Sequence, residues 1–212
     1  DMSGQKVKPK KKTRIQQENQ ERILEAALDV FSANGFRGST IDMIAQNADM
    51  SKPNLLYYFP NKEAIYTTLL HNMLDTWIEP LSAIDPIGDP IEEIRTYISL
   101  KLEISRSNPK ASQLFAYEIL HGAGTIESAL RGPLKLRVDQ TVETINAWIA
   151  QGRLAKVDPY HLIFMIWGTT QHYADFEAQT RVLIGGDLSD DQIFSDAQET
   201  LLTVFLQGLM PR

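Results

Sequence analysis

The chain has 212 residues and no cysteine, and 21 Lys and Arg stand against 27 Asp and Glu for a formal net charge of −6. That length fits one medium domain with a small attachment, and the missing cysteines exclude disulfides and thiolate sites and suit a cytoplasmic protein. The charge is uneven: residues 1–62 carry ten Lys and Arg against seven Asp and Glu, residues 63–212 eleven against twenty, so a polyanion partner is expected for the first part only.

Residues 1–16 read as a flexible basic arm, poor in apolar residues, with Lys10, Lys11, Lys12 and Arg14 near its end. It has no apolar stretch of the secretory kind. A helical period runs from about 17 to 34, with Ile23, Ala26, Ala27, Val30 and Phe31 on one stripe and Asn34-Gly35 as its stop. Thr40 caps a short helix over about 41–48. Ser51 caps another over about 52–59, with Pro53 in the first turn where a missing N–H costs little. Asn61 caps a long helix that begins at Lys62 and stops near Pro80, and residues 82–90 form a loop. Further helices are expected over about 91–107, 110–121, 125–152 (strained or broken at Gly132-Pro133), 159–184 and 190–209. No strand alternation and no repeat is found, and the longest apolar run, Leu162–Trp167, is far short of the ~20 residues of a membrane span. The expected fold is all-α, with about nine helices.

Between Ile41 and Phe59 the pattern is that of two short helices joined by a tight turn. The turn Asn47-Ala-Asp-Met-Ser51 needs a residue at positive φ, and Asp49 is the candidate. Ile41, Ile44, Ala45 and Ala48 would face Leu55, Leu56 and Phe59, which leaves Lys52, Pro53, Asn54, Tyr57 and Tyr58 outward. A face of ammonium, amide and phenol groups suits both base edges and phosphates of double-stranded DNA.

These residues resemble the TetR family of regulators. The match is carried by Gly35-Phe36, Ser39-Thr40, Ile44-Ala45, Ala48, Ser51, Leu56-Tyr57, Phe59, Lys62-Glu63 and Ile65, with Asp49-Met50 departing from the family's usual Gly-Val. The resemblance implies a helix-turn-helix DNA-binding domain over 17–62 and a ligand-binding and dimerisation domain over 63–212. It places Lys52, Pro53, Asn54 and Tyr57 toward the major groove, and Thr40, Tyr58 and Lys62 toward phosphates, with the arm following the backbone or the minor groove. One short reading helix specifies too few base pairs, so a homodimer on a palindromic operator is expected, its reading helices ~34 Å apart. The last two predicted helices have apolar faces to spare: Phe194, Ala197, Leu201 and Phe205 on one line, Leu202, Leu206 and Leu209 on another.

The helical body should hold a small-molecule effector, and polar side chains on otherwise apolar faces mark where. Candidates are Met73 and Trp77, then Phe115 and Glu118, then Trp167, Gln171 and Tyr173, with Lys101 as a further residue. Taken singly, each also has a plain structural use, the indoles as core and Glu118 as a surface charge. The segments Leu55–Pro60, Leu114–Leu120 and His161–Phe176 further resemble the Rut-type, pyrimidine-utilisation branch of the family, which implies uracil or thymine as effector and pyrimidine-related genes as targets. A different planar molecule is the alternative. An enzyme is not expected: His71, His121, His161 and His172 form no HExxH pair or triad, and no phosphate loop, metal site or cofactor motif is present.

Overall fold

The computed structural model describes residues 13–211, and every regular element among them is helical. The chain divides into two compact units with the boundary between Tyr66 and Thr67.

The first unit is a three-helix cluster. Helix α1 spans Arg14–Gly38, α2 Ile41–Asn47 and α3 Lys52–Tyr58. Helix α1 starts earlier than the apolar stripe suggests, because Thr13 and Gln16 form a reciprocal capping box. The inner end of the expected arm is therefore helical, with Arg14 paired to Glu18 at 2.7 Å; residues 1–12, including Lys10, Lys11 and Lys12, lie outside the described residues. The expected stop at Asn34-Gly35 is instead a kink: Gly35 takes φ 68°, and the chain resumes one more turn. The Ser39 hydroxyl donates to the Gly35 carbonyl at 2.6 Å, taking up a group the kink frees. Ile23, Ala27, Phe31, Ile44, Leu55 and Ile65 are buried at the centre. Leu56, expected in that core, is 39% exposed.

Helix α4 spans Lys62–Ser82 and contributes residues to both units. It passes through Pro80 rather than stopping there, since in the last turn the loss of one backbone bond is tolerated. The second unit continues with α5 Pro90–Ser107, α6 Pro109–Leu120, α7 Glu127–Ala129, a π-helical segment Leu130–Leu134, α8 Lys135–Ala150, α9 Pro159–Asp175, α10 Glu177–Ile184 and α11 Asp191–Leu209. Helix α5 is the central strut, packed on α9, α11 and α6. Ile94, Ile98, Trp148, Ile163, Ile166 and Phe205 form the main core, and the Trp148 indole N–H donates to the Pro86 carbonyl at 2.9 Å.

Two long predicted helices are segmented. The break near Gly132-Pro133 takes the form of a widened π turn, which absorbs the N–H that Pro133 lacks. The helix expected over 159–184 divides at Phe176 (φ −114°, ψ 31°) into α9 and α10. There the Gln113 amide donates to the Ala174 carbonyl at 2.8 Å, occupying an acceptor that a continuous helix would use.

Candidate functional site

The turn between α2 and α3 is built by a Schellman closure. The Met50 N–H reaches the Ala45 carbonyl at 3.0 Å and the Asp49 N–H the Gln46 carbonyl at 3.2 Å, with Asp49 at φ 50°. Ser51 then caps α3 by accepting from the Asn54 N–H at 3.3 Å. Leu55 anchors this helix in the core with no exposed surface. Its anchoring turns Lys52, Pro53, Asn54 and Tyr57 to solvent, and Tyr57 is 70% exposed. The Lys52 ammonium rests on Asp42 at 2.8 Å, a surface link worth under ~1 kcal/mol that a phosphate could displace.

The residues assigned to phosphates are more occupied. Thr40 is exposed, with its hydroxyl capping α2 through the Met43 N–H. Tyr58 is half-buried, its hydroxyl accepting from the Asn19 amide at 2.8 Å. Lys62 donates to the Phe36 and Ser39 carbonyls at 2.8 and 2.9 Å and stands 4.5 Å from the Phe36 ring centroid. Its ammonium therefore fastens the α1–α2 connection as well as carrying charge.

The second unit contains a cavity of about 700 Å³ lined by α4, α5, α6, α9 and the π-helical segment. It brings together five of the side chains picked out from sequence: Trp77, Lys101, Phe115, Trp167 and Gln171. Trp77 and Phe115 meet edge to face, ring centroids 4.4 Å apart. Lys101, only 1% exposed, donates to the Gln171 amide oxygen at 3.3 Å and lies 4.6 Å from the Trp77 ring centroid. Burial lowers its pKa to about 7, an effect that Asp175 partly opposes. The Trp167 indole N–H donates to the Tyr97 hydroxyl at 2.7 Å, which fixes that ring as a wall.

Three expected residues do not line this cavity. Met73 is buried one turn before Trp77. Glu118 accepts from the Thr125 N–H at 2.8 Å, so it closes the loop after α6. Tyr173 lies two positions from Gln171, ~200° round the helix, and packs against the cluster of Leu102, Leu188 and Ala197. Gln113, His172 and Asp175, and the phenol of Tyr117, also line the cavity and are not among the residues expected from sequence. The signal for Asp175 was present, since Trp167, Gln171 and Asp175 repeat every four residues along one row. Asp175 accepts from the Ser112 hydroxyl at 2.6 Å; burial raises its pKa, while Ser112, Lys101 and His172 pull it down. Gln113 had no such partner in sequence; its role appears only where α6 crosses α9. The mouth is apolar and includes Tyr117, Ile119, Leu120 and Phe176, with Leu120 82% exposed.

A compact helix-turn-helix unit, joined by one long helix to a helical unit enclosing a ligand-sized cavity, defines a one-component transcriptional regulator. The chain belongs to the TetR family of DNA-binding transcriptional regulators: residues 23–69 match the family described as bacterial regulatory proteins, tetR family, and residues 70–212 match the YcdC-like protein, C-terminal region. It is 45% identical over 202 residues to the HTH-type transcriptional regulator RutR of Escherichia coli K12, covering 95% of each chain. It is 26% identical over 200 residues to IcaR, a negative regulator of the biofilm operon icaADBC in Staphylococcus epidermidis, covering 88% of this chain and 98% of that one. Among solved structures, AibR in complex with isovaleryl coenzyme A and operator DNA shares the fold with a TM-score of 0.65 at 20% identity, over 88% of this chain and 97% of that one. A TetR-like regulator from Rhodococcus shares it at 0.63 and 24% identity, over 90% and 96%. The relatives are regulators, and this chain is one rather than an enzyme. No helix among the described residues is long and apolar enough to cross a membrane.

Proposed function

We propose that this regulator is a homodimeric repressor of pyrimidine-related genes whose effector is uracil or thymine, bound at the polar end of the cavity. The observation that carries this reading is the grouping of Lys101 and Gln171 with the indoles of Trp77 and Trp167 in one cavity. A pyrimidine dione is a flat ring edged by alternating carbonyl and N–H groups. Lys101 supplies a donor, Gln171 both a donor and an acceptor, and the indoles supply flat apolar surface. The extended similarity to RutR and the resemblance to pyrimidine-utilisation repressors support the same reading.

DNA would be read by Asn54, Lys52, Pro53 and Tyr57, with Thr40, Tyr58 and Lys62 at the phosphate edge. Helix α4 carries Lys62 at its start and Trp77 in its fifth turn, so a ligand that displaces Trp77 would act on the helix that also holds Lys62. Release follows if the ligand prefers the displaced state, and a swing from mostly bound to mostly free needs ~5 kcal/mol of preference. The paired subunits would meet through α9 and α11, where Phe164, Met165 and Val204 are exposed.

Isothermal titration with uracil, thymine, cytosine and purines tests the effector. Saturable heat with uracil or thymine and not with purines is expected; flat traces for both diones would remove the pyrimidine assignment. The cavity volume favours a second reading, since about 700 Å³ is in the range that holds drug-sized ligands rather than a single small ring. On that reading the effector is a larger planar molecule with an apolar extension lying along Tyr117, Leu130, Leu134 and Phe176.

A further inference from the structure

We infer that the cavity selects, among planar ligands of one shape, those with an acidic ring N–H, and binds them as the ring anion against the Lys101 ammonium. The inference rests on the cavity being the effector site and goes beyond it by naming the charge state recognised. Its basis is a buried ammonium in direct contact with no carboxylate: among the described residues Lys101 hydrogen-bonds to the neutral Gln171 and forms no ion pair, and Asp175, on the same cavity wall, acts on it only through space. An ammonium held in apolar surroundings without a counter-ion is costly, and a bound anion supplies that counter-ion inside the same low-dielectric space.

The surrounding charges are compatible with this. Helix α4 presents the Trp77 ring, whose face attracts the ammonium. Helix α6 contributes Gln113 and Tyr117 to the lining, and the π-helical segment only Leu130 and Leu134. Helix α9 brings Gln171, His172 and Asp175. The Asp175 carboxylate accepts from the Ser112 hydroxyl and supplies the one carboxylate charge in the lining, which raises the Lys101 pKa without pairing with it. On α5 itself, Tyr97 one turn away accepts from the Trp167 indole.

Burial brings the Lys101 group to about 7, so amine and ammonium coexist near neutral pH before a ligand binds. A ligand still protonated in solution gives its ring proton to the amine: the ring N–H bond breaks, an Nζ–H bond forms, and an ion pair results. A ligand already ionised binds to the ammonium, and the fraction of the amine that lacked a proton takes it from solvent.

The experiment is calorimetry at pH 7 with thymine, uracil, 5-fluorouracil and 5-nitrouracil, a series of rising N–H acidity, in two buffers of different ionisation heat. Affinity is expected to rise at least tenfold from uracil to 5-nitrouracil, with net proton uptake by the protein when the ionised 5-nitrouracil binds. In Lys101→Gln, and in Lys101→Met as an independent variant, the trend should flatten while operator binding persists. Uracil binding without any acidity trend, or 5-nitrouracil binding without proton uptake, would overturn this inference and leave the pyrimidine assignment standing. Binding by no member of the series would overturn both.

Discussion

At Lys101 the proposed effector contact runs against stability. Its amine has a folded-state pKa near 7 against 10.5 in the unfolded chain. Between those values the unfolded chain binds more protons, so stability rises with pH; the cost of burying the ammonium is complete below about 7 and relieved by about 10.5. Lys101→Met removes that cost and is expected to raise stability at pH 6 by roughly 1–4 kcal/mol, as apolar replacement of other buried charges does. The gain over wild type, followed by calorimetric melting, should narrow toward pH 10; a gain constant with pH would show that the amine is not desolvated. Asp49 makes a smaller case. It occupies the left-handed position of the Schellman closure, where glycine carries no side-chain penalty, so Asp49→Gly should stabilise the first unit by up to ~1 kcal/mol in denaturant titration. A loss of stability would mean that the Asp49 side chain contributes a contact worth more than that strain.

At the scale of elements, α3 and α4 carry the two roles that mutation can separate. Asn54→Ala on α3 should relax sequence preference while general affinity remains, measured by binding to a panel of operator variants; an unchanged preference would relocate the reading face. Lys62→Ala should weaken all sequences alike and also lower the melting temperature, because two carbonyls lose their donor. Trp77→Ala on α4 should abolish release by effector with operator affinity largely intact, and an equal loss of both would make Trp77 merely structural. The legible parts of the fold were those with local causes. The caps at Thr40, Ser51 and Asn61, the strained Asp49 and the prolyl break at 133 all act within one turn of the residue responsible. The start of α1 was missed because Thr13-x-x-Gln16 lies in a charged segment with no apolar stripe. The division of α9 from α10 has no Pro or Gly to announce it, and depends on Gln113 from another helix. In the cavity, Trp77, Trp167 and Gln171 stand out as polar or aromatic groups on apolar faces. Glu118 satisfied the same criterion and serves a loop, since period alone does not distinguish a side chain turned into a cavity from one turned along its rim.

The whole molecule joins a helix-turn-helix unit to an acidic helical body, and both assembly and release belong to this scale. Phe164 and Met165 on α9 and Val204 on α11 leave apolar area that a single subunit does not cover, and monomeric proteins rarely keep such faces open when contiguous. Met165→Glu should shift the protein from dimer to monomer in sedimentation velocity and weaken operator binding with it; an unaltered dimer would place the interface elsewhere. In the proposed mechanism the helix beginning after Ser51 lies against nucleobases and cavity occupancy governs it. The most direct measurement is a gel shift of genomic fragments at low ionic strength, with and without uracil or thymine. Retention of a subset of fragments, lost on adding either base, is the expected result. Failure to retain any duplex, or retention that neither base alters, would contradict the account.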